Sequence, residues 1–256
     1  MTKKSYAKVN IFLKIAGKRG NYHELVSRFV RVHSLFDEVT FEKGTFTEFT
    51  LEGDFGCTTP QNTIYKAYEK LKPFSLNVQE YFEHHKVIVN KNIPEFAGLG
   101  GGSSNCATFM IMVNEVCNLG LTKDELSSIG ATIGADVPFF IYEYNSANVT
   151  GTGEIVEKFE EPVLDIKTFT PNIQCNTGSI FTTFRDLYYK EISQKERDRL
   201  LCMSSIDILN TLTILAANDL YLPALNLYSD LTPIQYNLPS HTHFSGSGSS
   251  FFYINN

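Results

Sequence analysis

The chain has 256 residues, 43% of them hydrophobic and 20% charged, with a formal net charge of −6. That length supports one large domain or two modest ones with real cores. The acidic balance argues against nucleic acid as the main partner, because phosphate contacts need a basic surface. The five cysteines, Cys57, Cys106, Cys117, Cys175 and Cys202, are widely spaced and never arranged as Cys-x-x-Cys. Neither a zinc site nor a disulfide framework is expected from them, and free thiols in a reducing cytoplasm are the simplest reading. Met1-Thr2-Lys3-Lys4 leads into no apolar leader, and no stretch reaches the ~20 apolar residues of a membrane span, so no membrane association is expected.

Residues 5–15 predict a strand, with Val9, Ile11, Leu13 and Ile15 on one face and Lys8, Asn10 and Lys14 on the other. Lys8 and Asn10 then project from the same side, ~7 Å apart along the strand. On periodicity alone they fit a solvated polar face as well as a functional pair. Gly17 to Asn21 predicts a turn, Asn21 tolerating a positive φ. Tyr22-His23-Glu24-Leu25 follows, and the pattern does not separate His23 from a structural histidine. Residues 26–33, 38–42 and 45–51 alternate as strands broken at Asp37 and Gly44. Asn62 to Leu71 has helical spacing, and Tyr81 to Val89 reads as a strand that Lys91-Asn92-Ile93-Pro94 extends.

Gly98-Leu99-Gly100-Gly101-Gly102-Ser103-Ser104 comes next and runs into the apolar series Phe109, Met110, Met112, Val113 and Val116. Glycines let the backbone approach a ligand closely, and Ser103 and Ser104 are N-cap candidates for the helix that follows. A glycine loop feeding a helix N-terminus is suited to an anion, whereas a flexible linker rarely meets a periodic apolar run. No lysine follows the loop, so it is not a Walker A sequence. The last glycine of a Gly-x-Gly-x-x-Gly pattern would fall on Ser103, so it is not a dinucleotide fingerprint either. Thr122-Lys123-Asp124-Glu125 is a capping box opening the next helix.

Gly134-Ala135-Asp136-Val137-Pro138-Phe139-Phe140-Ile141 reads as entry into a strand, with Asp136 as a turn residue or a functional acid. Gly151 to Glu154 is a turn. Strands are expected near 162–169 and 172–175, and helices near 179–187, 193–202, 206–215 and through Leu225 and Leu227. A glycine–serine turn at 245–250 leads into a final strand or helix start.

Ala7-Lys8-Val9-Asn10, Pro94 to Ala107, and Ser245-Gly246-Ser247-Gly248 resemble the three motifs of the GHMP kinases. That superfamily includes galactokinase, homoserine kinase, mevalonate kinase and phosphomevalonate kinase. With Tyr22-His23-Glu24-Leu25, Gly134 to Phe140 and Asn218-Asp219-Leu220, the pattern is similar in detail to one branch. That branch phosphorylates a cytidine-diphosphate-linked methylerythritol in the non-mevalonate route to isoprenoid precursors. Asn21 stands where the branch usually has glycine, and Cys106 where it usually has alanine. Asparagine can adopt the turn and cysteine is a small hydrophobe, so neither departure conflicts with the activity.

The resemblance implies an α+β, two-lobed GHMP kinase fold. Residues 1–153 would form a lobe like the second domain of ribosomal protein S5, and 154–256 a ferredoxin-like lobe, with substrate and ATP in the cleft between them. It implies transfer of the ATP γ-phosphoryl to the C2 hydroxyl of the erythritol, with Mg2+. Asp136 matches the catalytic aspartate, a general base, and Lys8 the catalytic lysine that pairs with it and orients the hydroxyl. Pro94, Ala97, Gly98, Leu99, Gly100, Gly101, Gly102, Ser103 and Ser104 would cradle the phosphates, with a serine hydroxyl near Mg2+. Lys91 matches a lysine near the nucleotide.

Tyr22 and Phe181 would stack on the cytosine and His23 would pair with its edge. Asn10 and Thr177 would contact the erythritol phosphate region. Two alternatives stand beside this. A homoserine or mevalonate type of kinase has no need of Tyr22-His23. A non-catalytic nucleotide- or RNA-binding module has no need of Lys8 with Asp136. The expected partners are ATP and a small molecule, without nucleic acid or membrane, in the cytoplasm.

Overall fold

Two long strands, β1 (Thr2–Arg19) and β2 (Tyr22–Lys43), form a hairpin. They are seen in a computed structural model that describes residues 1–20, 22–235, 239 and 241–255, apart from the side chains of Tyr22, Pro233 and Gln235. The chain divides into two compact units, Met1–Ala7, Leu35–Ile93 and Gly100–Glu143 in the first, Lys8–Ser34, Pro94–Leu99 and Tyr144–Asn256 in the second. Both long strands therefore contribute to both units. The strand expected at 5–15 is part of β1, which continues to Arg19; Gly20 turns at φ +61°, and Asn21 lies outside the described residues. The break expected at Asp37 does not occur. Its buried carboxylate accepts the N–H groups of Asn92 and Ile93 at 2.6 and 2.8 Å, so the strand carries an acid without ending.

In the first unit the later half of β2 pairs antiparallel with β4 (His85–Asn90), and β3 (Leu51–Gly53) lies parallel to β4. Helices α1 (Thr63–Leu71), α2 (Leu76–Glu83), α3 (Gly101–Val116), α4 (Lys123–Ala131) and α5 (Val137–Tyr142) complete it. Helix α1 buries Ile64, Ala67, Tyr68 and Leu71, one stripe at helical spacing, and Asn62 caps it by accepting from the Ile64 N–H. The core gathers Phe41, Phe82 and Phe109, with Phe82 and Phe109 stacked at 5.5 Å. Cys106 packs fully buried in α3, as a small hydrophobe would. The capping box at Thr122 and Glu125 opens α4 as expected.

Three expected strands differ here. Residues 44–50 are irregular, because the N–H groups of Gly44 and Phe46 bond to the carbonyls of His84 and Glu83 at the end of α2. Tyr81 to Glu83 belong to α2, whose Val78 and Phe82 bury one helical face, and the strand starts only at His85. Val137 to Ile141 are helical in α5 and all buried. A short run of only apolar residues has no alternation to tell strand from helix, and Pro138 in the first turn loses no helical hydrogen bond.

In the second unit the first half of β2 pairs antiparallel with β5 (Ser146–Gly151), followed across the expected turn by β6 (Ile155–Lys158). A separate sheet has the order β7 (Ile166–Phe169), β9 (Phe251–Ile254), β8 (His243–Phe244). Helix α6 (Thr177–Thr183) continues as one wide turn through Phe184–Tyr188. The remaining helices are α7 (Gln194–Cys202), α8 (Ser205–Thr211), α9 (Ile214–Ala217), α10 (Tyr221–Leu227) and α11 (Leu231–Gln235). The strand expected at 172–175 is irregular; the Cys175 N–H bonds to the Phe96 carbonyl instead of a strand. Among the described residues no helix is long and apolar enough to cross a membrane.

Candidate active site

Lys8 leaves the polar face of β1 but is not solvated: it is 4% exposed. Its ammonium donates to the Asn10 Oδ1 at 2.8 Å and to the Gly98 carbonyl at 3.1 Å, and sits 4.6 Å from the centre of the Phe29 ring. Its backbone N–H bonds to the Leu99 carbonyl at 2.9 Å. The N-terminal strand and the first part of the glycine loop are thus one construction. Asn10, also buried, donates to Ser27 and so presents its oxygen to Lys8.

The loop is anchored on both sides of Gly98. Ala97 and Leu99 are buried, and the Ala97 carbonyl accepts from the Ser250 N–H, while Pro94 is exposed. Gly98 has φ +74°, and a Cβ there would fall 2.1 Å from the Ser245 carbonyl oxygen, so only glycine fits. The Ser245 hydroxyl donates to the Gly98 carbonyl at 2.9 Å. The C-terminal glycine–serine turn is held in turn by Asn218, whose amide donates to the carbonyls of Phe244 and Gly246. Asp219 next to it pairs with Lys14. Asn218 therefore holds the C-terminal turn that Gly98 packs against, and Asp219 holds β1.

In the first unit the helix after the loop begins earlier than the serines suggest. Gly100, left-handed at φ +72°, is the N-cap of α3, so Gly101 and Gly102 already lie in its first turn. Ser103 and Ser104 are not caps: a glycine in the left-handed region starts the helix before them. The buried Ser104 hydroxyl accepts from Ser5, and Ser103 lies half-buried against Gly134. Asp136, two residues beyond Gly134, is half-buried at the N-cap of α5 and does not cap that helix with its own carboxylate. Ser103 and the Asp136 segment thus meet at the start of α3. Lys91 pairs with Asp37 at 2.5 Å and donates to the Asn105 Oδ1 at 3.1 Å. No sign in the sequence marks Asp37 as the partner of Lys91, since an acid between two strand segments reads as a separator.

Two of the residues expected to meet a base, His23 and Phe181, lie together in the second unit. The His23 ring stacks on Phe181 at 5.4 Å with 22° between planes, with Phe184 edge-on at 5.8 Å and Tyr189 at 6.2 Å. Burial, then Arg185 and Lys18, hold His23 below the ordinary histidine range, which keeps the ring neutral and able to accept as well as donate. Its Nε2 is buried with no hydrogen-bond partner among the described residues. Thr177, opening α6, shares a 2.8 Å hydrogen bond with Ser247 of the C-terminal turn. Tyr22 opens β2, and its side chain lies outside what the structure describes.

Residues 62–144 match the GHMP kinases N terminal domain family. The chain is 51% identical over 257 aligned residues to the 4-diphosphocytidyl-2-C-methyl-D-erythritol kinase of Sulfurimonas denitrificans, covering 98% of this chain and 96% of that one. The chain belongs to the 4-diphosphocytidyl-2-C-methyl-D-erythritol kinase family. A member from Campylobacter jejuni subsp. jejuni is 37% identical, with 98% of this chain and 99% of that protein covered. A crystal structure of 4-(cytidine 5'-diphospho)-2C-methyl-D-erythritol kinase superposes with TM-score 0.76 and 25% identity, covering 100% of this chain and 90% of that one. The family's fold is the α+β fold of the GHMP kinases expected from the motifs. Mevalonate kinase of Methanococcus jannaschii shares it at TM-score 0.64 and 13% identity, with 100% and 90% covered.

Proposed function

We propose that the chain transfers the γ-phosphoryl group of ATP to the C2 hydroxyl of 4-diphosphocytidyl-2-C-methyl-D-erythritol. The observation that carries this reading is the seat of Lys8, a buried ammonium bonded at once to Asn10 and to the glycine-loop carbonyl of Gly98. Burying a charge is costly unless it is hydrogen-bonded, and acceptors that hold this one are Asn10 and the glycine loop. Kinship supports the substrate: relatives with the mevalonate or homoserine kinase names share only the fold, at 13–15% identity.

In this reading Asp136 accepts the proton of the C2 hydroxyl as its oxygen bonds to the γ-phosphorus. The bond to the bridging oxygen breaks, and ADP leaves with that electron pair. Lys8 orients the hydroxyl and offsets the charge that develops. Gly98 to Gly102 offer peptide N–H groups to the phosphates, and the start of α3 favours their charge. Most of the rate comes from this positioning and electrostatics. Mg2+ fits the donor chemistry: the Ser103 hydroxyl in the first turn of α3 is a hard oxygen, and Ser103 would hold the ion together with the phosphates. When bound, the ion supplies neutralisation of phosphate charge. Ser104 is committed to Ser5. His23 and Phe181 would receive the cytosine, and Asn10 and Thr177 the erythritol end. Residues 1–153 and 154–256 would be the two lobes of a cytoplasmic enzyme.

The test is a coupled assay of ADP release with the cytidyl substrate beside a plain sugar alcohol and mevalonate. The cytidyl substrate is expected to exceed both in kcat/KM by at least 10³-fold, since a site built to bond a polar group rejects analogues lacking it. Comparable turnover of mevalonate would replace this reading by the other kinase, and tight salt-sensitive RNA binding without turnover by the non-catalytic module.

A further inference from the structure

Asp37 is fully buried and accepts four hydrogen bonds. Lys91 Nζ and the Asn105 amide bond to its Oδ2 at 2.5 and 2.9 Å, and the N–H groups of Asn92 and Ile93 bond to its Oδ1 at 2.6 and 2.8 Å. The Asn105 amide also donates to Ser5 Oγ at 2.9 Å, and its oxygen accepts from Lys91. Every donor of this corner belongs to a segment that shapes the start of α3. Lys91 to Ile93 precede the glycine loop, and Asn105 sits one turn into the helix. The corner touches the first helical residue: a Cβ on Gly101 would lie 3.0 Å from Ile93 Cγ2 and 3.4 Å from Lys91 Nζ.

We propose that Asp37 is a positioning residue for ATP, and that Lys91 acts through it and not as a ligand of the phosphates. The inference rests on the kinase reading above. The Lys91 charge is already met by a buried carboxylate, so its electrostatic worth to a triphosphate is small. The geometric worth of the pair is large, because it fixes how Gly101 and Gly102 present their N–H groups. A misplacement of ~1 Å there is enough to cost up to about 10²-fold.

The test is a double-variant cycle of wild type, Asp37→Asn, Lys91→Met and both together. ATP affinity is measured by equilibrium titration without acceptor, and kcat, both KM values and Tm are measured beside it. Each single variant is expected to weaken ATP about tenfold while leaving the KM of the cytidyl substrate within about twofold. The pair is expected to be no worse than the weaker single variant, since it leaves no unpaired buried charge. If Asp37→Asn does not fold, Asn105→Ala takes its place, removing a donor to Asp37 while Lys91 keeps its charge. It is expected to weaken ATP severalfold, whereas unchanged affinity would mean that Lys91 acts on the nucleotide directly. Losses that multiply to about 10²-fold in the pair, or a Lys91→Met loss that Asp37→Asn does not share, would mean that Lys91 ligates the nucleotide directly. A fall in Tm with unchanged ATP affinity would leave Asp37 a fold residue only. A wild-type chain that binds no ATP removes the kinase reading itself, and is told apart by the first titration.

Discussion

Lys8 and Arg28 are both cations buried in the second unit, one on each long strand, and each lies over a phenylalanine ring. Their partners differ. Arg28 donates to Asn148 at 2.7 Å and to the carbonyls of Leu200, Leu201 and Met203, which close the C-terminal end of α7. Burial pushes its guanidinium down to about 10, still a cation at neutral pH. A carboxylate, Glu161, receives the Ser205 N–H and hydroxyl at the start of α8, so opposite charges pin both sides of the α7–α8 connection. Positive charge at a helix C-terminus and negative charge at an N-terminus are the favourable placements. Arg28 is thus spent on the fold. Lys8 instead holds Asn10 and Gly98, residues with no helix end to satisfy, both in the candidate site. Burial of a charge thus does not by itself mark function; what the charge holds does.

Two substitutions separate the cases. Lys8→Met should lower kcat by about 10²–10³-fold, the scale of one lost electrostatic donor, with Tm changed by only a few degrees. A large fall in Tm with kcat per folded molecule intact would put Lys8 in Arg28's class. Arg28→Met should do the reverse. It removes the donor from the Asn148 Oδ1 and from the carbonyls of Leu200 and Met203, while Leu201 keeps the Asn148 amide, costing about 3–5 kcal/mol and roughly 10 °C in Tm. Its kcat at low temperature should stay within about twofold. Loss of turnover without loss of stability would tie the end of α7 to the chemistry.

The sequence spoke most clearly where local chemistry decides the conformation. Asn62, Thr122 and the stripe of α1 announce their helices through caps and spacing, and Gly98 and Gly100 adopt the left-handed turns that their lack of a side chain permits. Motif order carried Lys8, which periodicity alone leaves on a polar face. What stayed hidden depends on distant partners. Asp37 looks like a break between strands until Lys91 to Ile93 arrive to satisfy it. Val137 to Ile141 are apolar on all sides, so only their neighbours decide for helix. Arg28 offers no local sign that three carbonyls more than 170 positions away will receive it.

Asp136, at the start of α5, is the proposed acceptor of the proton of the substrate hydroxyl. Single-turnover phosphoryl transfer by Asp136→Asn, with both substrates saturating and ATP affinity measured alongside, tests it most directly. Transfer slowed by about 10²–10⁴-fold with ATP affinity preserved is the predicted result. Transfer within a few-fold of wild type would contradict it.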